Sequence, residues 1–468
     1  MLAWCWRHKG LTAALLACGA LLGSVIVWAP GLAVMLGLCV GLGGAVNRYA
    51  PPEDRRFLIS LYASAIGVRF LVGASLHLWA MYHGTGYLMY GQESFDVFGD
   101  SAYVSLRGWI MALVWKGQID RGTIDQGIFN NAAATLVYPY AWFHYLFGFS
   151  QFAVKLINSV FGVLTACVSY AIVKALCGRV SGKIAAVLVA FFPSTLLWSV
   201  TNLKEIPTAL GLLWACWAAI LLLQRGVRLS SLIQLGLALG LLWVVRPLVA
   251  VVTGLCLCGG LLWGWLWGRW GRVVTVGAVL CVIGLAVGLP HRAGVPARQF
   301  WEGKAAGQFM ALISSQVGQT TSAGSAYRIY ETHMYENSDA STWQITPRTT
   351  LHALAKGLVY FLLTPVPWRV ASLSQGATIP EMLLWYALLA FGVWGAAVLV
   401  RAHPETSPTL LLVAAALTAL MALSAGNIGT AFRHRGIVIP LYLILSAAGL
   451  GHVWGGLQRR DAAAVRVV

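Results

Sequence analysis

Apolar stretches long enough to cross a membrane recur along the whole chain. A helix needs about 20 apolar residues to span a bilayer. About twelve stretches approach that length, at 11–28, 31–46, 57–82, 153–177, 184–201, 206–224, 230–245, 248–267, 273–289, 381–400, 408–424 and 436–453. Two shorter ones, 132–148 and 350–364, are broken or followed by Pro139 and Pro365, and we expect them to be interfacial or re-entrant. The pattern predicts an all-α polytopic membrane protein with about 12 to 13 transmembrane helices.

Composition agrees with this class. Of 468 residues, 59% are hydrophobic and only 10% are charged, whereas soluble proteins carry about 25% charged residues. The nine cysteines lie in or beside apolar stretches, so their spacing predicts neither a disulfide framework nor a zinc site.

Basic clusters in the short loops predict the orientation. Lysine and arginine are enriched in cytoplasmic loops, and here they recur as Arg48/Arg55/Arg56, Lys174/Arg179/Lys183, Arg225/Arg228, Arg269/Arg272, Arg401 and Arg459/Arg460. With these loops inside, most of the 15 acidic residues fall outside. The net charge of +17 then faces anionic lipid headgroups, and we expect no nucleic acid as partner.

Two long outer segments, 83–152 and 290–348, are the places where function is expected. The first is predicted to contain two surface-lying helices, over 101–116 and 132–148, and the second a small outer cap. In the first helix, Ser101 or Asp100 is expected to cap the start, and an apolar side that includes Val104, Met111 and Ala112 to face lipid. The predicted domains are an N-terminal membrane hairpin (1–56), a membrane core (57–289, including outer loop 83–152), the cap (290–348) and C-terminal membrane helices (349–468).

Two carboxylates, Asp96 and Asp100, follow a long apolar stretch in a chain with few acids. A charge at the membrane border is costly unless it is paired, hydrated or used. Asp100 is therefore a candidate general base, with Asp96 the weaker candidate. The alternative that Asp100 only caps the following helix stays open.

Cations at the outer helix ends are candidates for binding a phosphate. Guanidinium groups match phosphate oxygens with two hydrogen bonds, and the outer side is where cationic clusters are least expected. The candidates, each weighed against headgroup anchoring or local ion pairing, are Arg246, Arg433, His434, Arg435 and Lys204.

Other polar residues have two interpretations each. Arg69, near the middle of the stretch 57–82, is expected to bind within the bundle rather than to catalyse. Asp100 with His83 or His144 could hold a divalent metal such as Mg or Mn, or the histidines could be ordinary interfacial residues. The cap sequence 327–331 suits sugar binding as well as ordinary packing.

Four short motifs resemble the GT-C glycosyltransferases, in the branch of the protein O-mannosyltransferases and lipid A aminoarabinose transferases. Gly99–Tyr103 resembles the acidic motif of the first outer loop, and Tyr138–Phe143 the later proline-aromatic motif. Gly240–Pro247 resembles an arginine-proline helix end, and Phe432–Arg435 with Pro440 the entry to the last span. The acidic motif often has two adjacent acids, whereas Ser101 follows Asp100 here.

The resemblance implies an inverting transfer of a sugar from a polyprenyl-phosphate donor to an acceptor hydroxyl on a glycan, lipid or protein. Asp100 would be the base, and Arg246, Arg433 and Arg435, then Lys204, would stabilise the leaving phosphate. Substrate-binding candidates are Tyr138, His144, Tyr327, Arg328 and Glu331, with Tyr330 shielding the site from water. The expected location is the bacterial inner membrane, multi-pass, with the active site facing the periplasm, and no cofactor is predicted beyond the metal alternative.

Other functions remain open at this point. A polymerase or ligase of lipid-linked glycans would share the outer arginines and depend less on Asp100. A transporter or flippase would carry polar groups through several span centres, whereas Arg69 is the only charge well inside a predicted span. A structural membrane scaffold is the last alternative.

Overall fold

The computed structural model describes residues 29–123, 134–267, 347–368, 370, 373–425 and 428–465. The predicted stretches 11–28 and 273–289 lie outside these residues. So does the predicted cap except for its last two positions, and with it the candidates Tyr327, Arg328, Tyr330 and Glu331. The described chain divides into two compact units, which are taken in turn.

The first unit comprises residues up to Leu164 and the segment Leu196–Ile206. Helices α1 and α2 pack against each other, and a two-stranded antiparallel hairpin packs on helix α3, which also packs on α4. The elements are α1 (Pro30–Tyr49), α2 (Arg55–Tyr82), β1 (Gly86–Met89), β2 (Gln92–Phe95), α3 (Gly99–Trp115), a 3-10 turn (Arg121–Thr123), α4 (Ala134–Phe147), and the starts of α5 (Gln151–Phe191) and α7 (Glu205–Arg225), with most of α6 (Pro193–Ser199).

The second unit comprises Thr165–Thr195 and the residues from Pro207 onward. Its core is built from small and aliphatic side chains of the rest of α5 and α7 and of the later helices. These are α8 (Leu229–Val245), α9 (Pro247–Trp267), α10 (Pro347–Leu363), α11 (Leu373–Ala377), α12 (Ile379–Ala402), α13 (Ser407–Leu423) and α14 (Ile428–Val465). Gly178 adopts a φ of 86° within α5, a conformation that favours glycine, and so breaks this long helix where the sequence predicts a basic loop between two spans.

Within the described residues, seven helices are long and apolar enough to cross a membrane. They are Pro30–Tyr49, Arg55–Tyr82, Gln151–Phe191, Glu205–Arg225, Pro247–Trp267, Ile379–Ala402 and Ile428–Trp454, and Leu229–Val245 and Ser407–Leu423 are shorter apolar helices at predicted spans. The protein is therefore a mostly helical, multi-pass membrane protein, as predicted, while the count of 12 to 13 stays a prediction.

The apolar side of α3 packs against protein, contrary to the prediction that it faces lipid. Met111 of α3 clusters with Val137 and Ala141 of α4, and Val104 and Ala112 are also buried. A helix of the outer loop can bury its apolar side against a neighbouring helix instead of lipid, and periodicity does not distinguish the two partners.

Basic loops meet at one end of the second unit. The His403 ring contacts the Leu176 carbonyl at 2.6 Å, and Trp263 Nε1 donates to the Pro404 carbonyl at 2.9 Å. These residues lie near the predicted cytoplasmic clusters at Lys174 and Arg401. The agreement supports the predicted assignment of loops to one side, while the identity of that side is a proposal.

Glycines let α12 and α14 approach closely. A Cβ at Gly395 would overlap the Leu445 carbonyl oxygen, and one at Gly449 would overlap that of Phe391. We expect Gly395→Ala to lower the thermal unfolding temperature in detergent, because overpacking costs about 1–3 kcal/mol. Gly236→Ala on α8 is the control, since its Cβ meets open space and alanine favours the helix. Equal unfolding temperatures for Gly395→Ala and the wild type would contradict this packing.

Candidate active site

The end of the hairpin, where the acidic motif begins, is bound to the start of α5. The Gln151 side chain of α5 accepts a hydrogen bond from Phe95 N at 2.9 Å and donates one to the Phe95 carbonyl at 2.7 Å. This reciprocal pair fixes the end of β2, so the residues that follow it have a defined position. Asp96 is the next residue along the chain.

Asp96 is buried in an ion pair. Its Oδ2 lies 3.0 Å from Lys155 Nζ, and both side chains are 3% exposed. The Ser101 hydroxyl donates to the same oxygen at 2.5 Å, and Phe98 N approaches Oδ1 at 3.4 Å. A buried carboxylate with a cation and a hydroxyl around it is held in one orientation.

Ser101 links the acidic motif to a segment a hundred residues later. Its hydroxyl oxygen accepts a hydrogen bond from Asn202 N at 2.8 Å. Asn158 of α5 holds the same segment, since its amide donates to the carbonyls of Thr201 and Leu203 at 2.6 and 2.8 Å. Lys204, the next residue, is half-buried. The first unit therefore brings the Asp96–Ser101 motif and the Lys204 segment together.

Asp100 is exposed in the first turn of α3. The helix begins at Gly99 with Phe98 as N-cap and without a side-chain cap, so the prediction that Asp100 or Ser101 caps it is wrong. The Ser101 hydroxyl donates a hydrogen bond to Asp96 instead. A carboxylate in the first turn is stabilised by the helix dipole, and its exposure leaves Asp100 accessible from solvent.

The other predicted cations lie in the second unit. Arg246 is half-buried at the junction between α8 and α9. Helix α14 begins at Ile428, eight residues before the predicted stretch, so Arg433 and His434 lie inside the helix rather than at its entry. The His434 ring contacts the Ser424 hydroxyl at 3.2 Å. Convergence of these cations with Asp100 stays a prediction.

Arg435 is fully engaged by protein. Its Nε donates to the Phe361 carbonyl at 2.8 Å, its Nη2 donates to the Thr364 carbonyl, and its Nη1 contacts Met382 Sδ at 3.0 Å. The guanidinium therefore ties α14 to the end of α10 and the start of α12. A role in binding phosphate stays a prediction for this residue.

A buried carboxylate near Arg435 was not among the predicted site residues. Glu381, in the first turn of α12, accepts a hydrogen bond from the Ser194 hydroxyl. Nothing in the sequence near Ser194 indicates this contact.

Two predicted substrate-binding residues lie on α4. Tyr138 is 46% exposed, whereas His144 is fully buried. Burial, together with the positive charge of Lys116, lowers the pKa of His144 to about 4, so its ring is neutral at physiological pH. Both roles stay predictions.

The metal alternative finds no support in the described residues. Among them, no three His, Cys, Asp or Glu side chains lie together in a group that could hold an ion. The His83 ring stacks on Trp79 and contacts its carbonyl at 2.9 Å. A metal site stays unconfirmed, and we derive no step through a metal.

Arg69 binds within its own unit, as predicted. Its Nε donates to the Ser199 hydroxyl at 2.8 Å and its Nη1 to the Ala65 carbonyl at 3.2 Å, and the residue is 1% exposed. A Cβ at Gly162 would come within 2.9 Å of Arg69 Nε, so the glycine makes room for the guanidinium.

Comparisons with known proteins bear on part of the chain. Residues 135–292, about a third of it, match the family described as dolichyl-phosphate-mannose-protein mannosyltransferase. No curated protein sequence matches the chain. Among solved structures, the archaeal oligosaccharyltransferase AglB from Archaeoglobus fulgidus, in complex with an inhibitory peptide and a dolichol-phosphate, is similar with a TM-score of 0.46 and 15% identity. That similarity covers 86% of this chain and 51% of AglB, so the chain spans about half the length of this solved protein.

The matched family is a GT-C family, and the match begins after the acidic motif, at residue 135. It includes Tyr138, Lys204 and Arg246. The matched segment includes two of the four motifs, Tyr138–Phe143 and Gly240–Pro247, so residues 135–292 are similar to a GT-C mannosyltransferase family, in agreement with the predicted resemblance.

Proposed function

We propose that the protein transfers a sugar from a polyprenyl-phosphate donor to an acceptor hydroxyl, with inversion, on the periplasmic side of a bacterial inner membrane. The acceptor oxygen attacks the anomeric carbon and the bond from that carbon to the phosphate oxygen breaks. Asp100 takes the proton of the acceptor hydroxyl, and the phosphate leaves with the bonding electron pair. The acceptor is a glycan, a lipid or a protein.

One observation carries this proposal: the hydrogen bond between Ser101 Oγ and Asn202 N. It joins the residue after Asp100 to a residue two positions before Lys204, so a carboxylate and an ammonium group are carried by two segments in contact. An accessible base and a nearby cation are the two groups that this transfer needs, one for the incoming hydroxyl and one for the departing phosphate.

The two carboxylates of the motif have different roles in this proposal. Asp96 is buried and paired with Lys155, so it is poorly placed to receive a proton from an acceptor. Its contact with Ser101 makes it a positioning residue for the start of α3. Asp100, exposed one residue before Ser101, remains as the base.

The cations of the second unit have different roles in the proposal. Arg246, Arg433 and His434 are half-buried and are proposed to bind a donor phosphate. Arg435 is proposed to act indirectly, because its donors are engaged by carbonyls of α10 and the following turn. In that position it fixes the part of α14 that carries Arg433.

A transfer assay tests the proposed function. The purified protein in lipid nanodiscs is given polyprenyl-phosphate sugars with a radiolabelled sugar, together with glycan, lipid or peptide acceptors. We expect label to pass to one acceptor class with the opposite anomeric configuration, and polyprenyl phosphate to be released in equal amount. In sealed vesicles, movement of the intact lipid-linked sugar across the bilayer without transfer to any acceptor would contradict the proposal and indicate a transporter.

A further inference from the structure

Arg107 on α3 is a buried guanidinium whose charge no described residue neutralises. The residue is 2% exposed, and its Nε and Nη2 have no hydrogen-bond partner among the residues that the structure describes. The centroid of the Tyr103 ring lies 5.6 Å from the guanidinium carbon. Neither the sequence motifs nor the matched family segment include this residue.

The helix places Arg107 in a seam between the hairpin and α4. The hairpin covers one side of α3, where Met89 packs with Ile110 and Val114. Helix α4 covers another side, where a Cβ at Gly108 would lie 2.8 Å from Tyr140 Cβ. At about 100° per residue, position 107 falls between these two sides of the helix.

Asp100 lies on the same side of α3 as Arg107. Seven residues make two helical turns, so positions 100 and 107 lie on one side of the helix, about 10 Å apart along its axis. Tyr103 lies between them and forms an edge-to-face contact with Tyr87 of the hairpin, at 5.9 Å between ring centroids. Asp100, Tyr103 and Arg107 thus form a row that begins at the accessible end of the helix.

An unpaired guanidinium in this position needs an explanation. Burial lowers the pKa of Arg107, and Tyr103 rather than a carboxylate acts in the opposite direction. A buried charge without a partner is destabilising, and unsatisfied buried donors are rare in native proteins. Two parallel N–H groups are suited to an anion with two oxygens, and a phosphate has this geometry.

We infer that Arg107 binds a phosphate ester, which enters the seam from the end marked by Asp100. The phosphate is that of the lipid-linked donor, and this identification rests on the proposed function, whereas the anion site does not. Arg107 would then add to the cations that stabilise the leaving group.

Binding of a phosphate lipid without any sugar tests the inference separately from catalysis. Polyprenyl phosphate, phosphatidylglycerol or inorganic phosphate is added to the protein in phosphatidylcholine nanodiscs, and the dissociation constant is measured for each. We expect Arg107→Gln to weaken binding of polyprenyl phosphate at least tenfold, and Arg107→Lys to weaken it less. Arg121→Gln is the control, because Arg121 is exposed in the same outer loop and its loss should leave binding unchanged.

Each outcome bears on the inference. Unchanged binding of all three probes in both Arg107 variants overturns it. An equal loss for phosphatidylglycerol supports a phosphate site and overturns the donor as its source. If only inorganic phosphate binding is lost, the site binds a soluble phosphate, and the lipid-linked donor is again overturned as its source. If no transfer is detected in the assay above and Arg107→Gln still loses polyprenyl phosphate, the proposed function fails while the phosphate site stands.

Stability separates ligand binding from a structural role. Because no described carboxylate neutralises the guanidinium, we expect Arg107→Met to keep or raise the unfolding temperature of the ligand-free protein. Added polyprenyl phosphate should raise that temperature in the wild type and not in the variant. A marked fall in the ligand-free variant would show that Arg107 supports the fold, and would overturn the inference.

Discussion

Replacing Asp100 by asparagine is expected to lower the rate of sugar transfer by about 10²–10⁴-fold, the usual contribution of a positioned general base. Asparagine keeps the size of the side chain and cannot accept the proton of the acceptor hydroxyl. Because Asp100 is exposed in the first turn of α3, the free energy of unfolding should change by less than about 1 kcal/mol. The measurement is the transfer rate with saturating donor and acceptor. Thermal unfolding of the same sample shows whether the fold is intact.

Glu93, a second exposed carboxylate, provides the control for this result. Glu93 lies on β2 of the same outer segment and is exposed, so Glu93→Gln removes one negative charge there without touching the proposed base. Asp100→Glu should retain more activity than Asp100→Asn, because it keeps a carboxylate. Wild-type rates for Asp100→Asn would remove the base assignment, and equal losses for Glu93→Gln would point to a general effect of charge.

The helices were predictable because the membrane imposes a simple rule on the sequence. Apolar length alone located α2, α7, α9 and α12 within a few residues. The rule does not indicate which partner a short apolar side will choose, and α3 packs on α4 rather than lipid. It also cannot locate the start of α14, because the two turns that carry Arg433 and Arg435 are polar yet helical.

The site was only partly predictable for a similar reason. Asp96 and Asp100 stand out in the sequence, but which one is buried depends on Lys155, which lies 59 positions after Asp96 on an apolar helix. The bond from Asn202 to Ser101 joins residues 101 positions apart. Such pairs follow from how helices pack, and a local motif carries no information about them. The structure buries Asp96 and exposes Asp100, whereas the assignment of Asp100 as the base stays a prediction.

Breaking the ion pair of Asp96 is expected to have the second largest effect, on stability. Asp96→Asn leaves the ammonium of Lys155 buried without a counter-charge, at 3% exposure, which costs about 3–5 kcal/mol. The Ser101 hydroxyl also loses its charged acceptor, so the start of α3 should become less ordered. Thermal unfolding of the purified variant in detergent measures the first effect, and its transfer rate measures the second.

A double variant separates the lost charge pair from the lost contact. Asp96→Asn with Lys155→Met removes both charges, and it should recover much of the stability that Asp96→Asn loses alone, since no buried charge is left unpaired. Transfer should stay low in the double variant, because Ser101 still lacks the carboxylate that holds it beside Asp100. Additive losses of stability in the two single variants would contradict the ion pair. Recovery of both stability and transfer would mean that Asp96 acts through charge balance alone and does not position the proposed base.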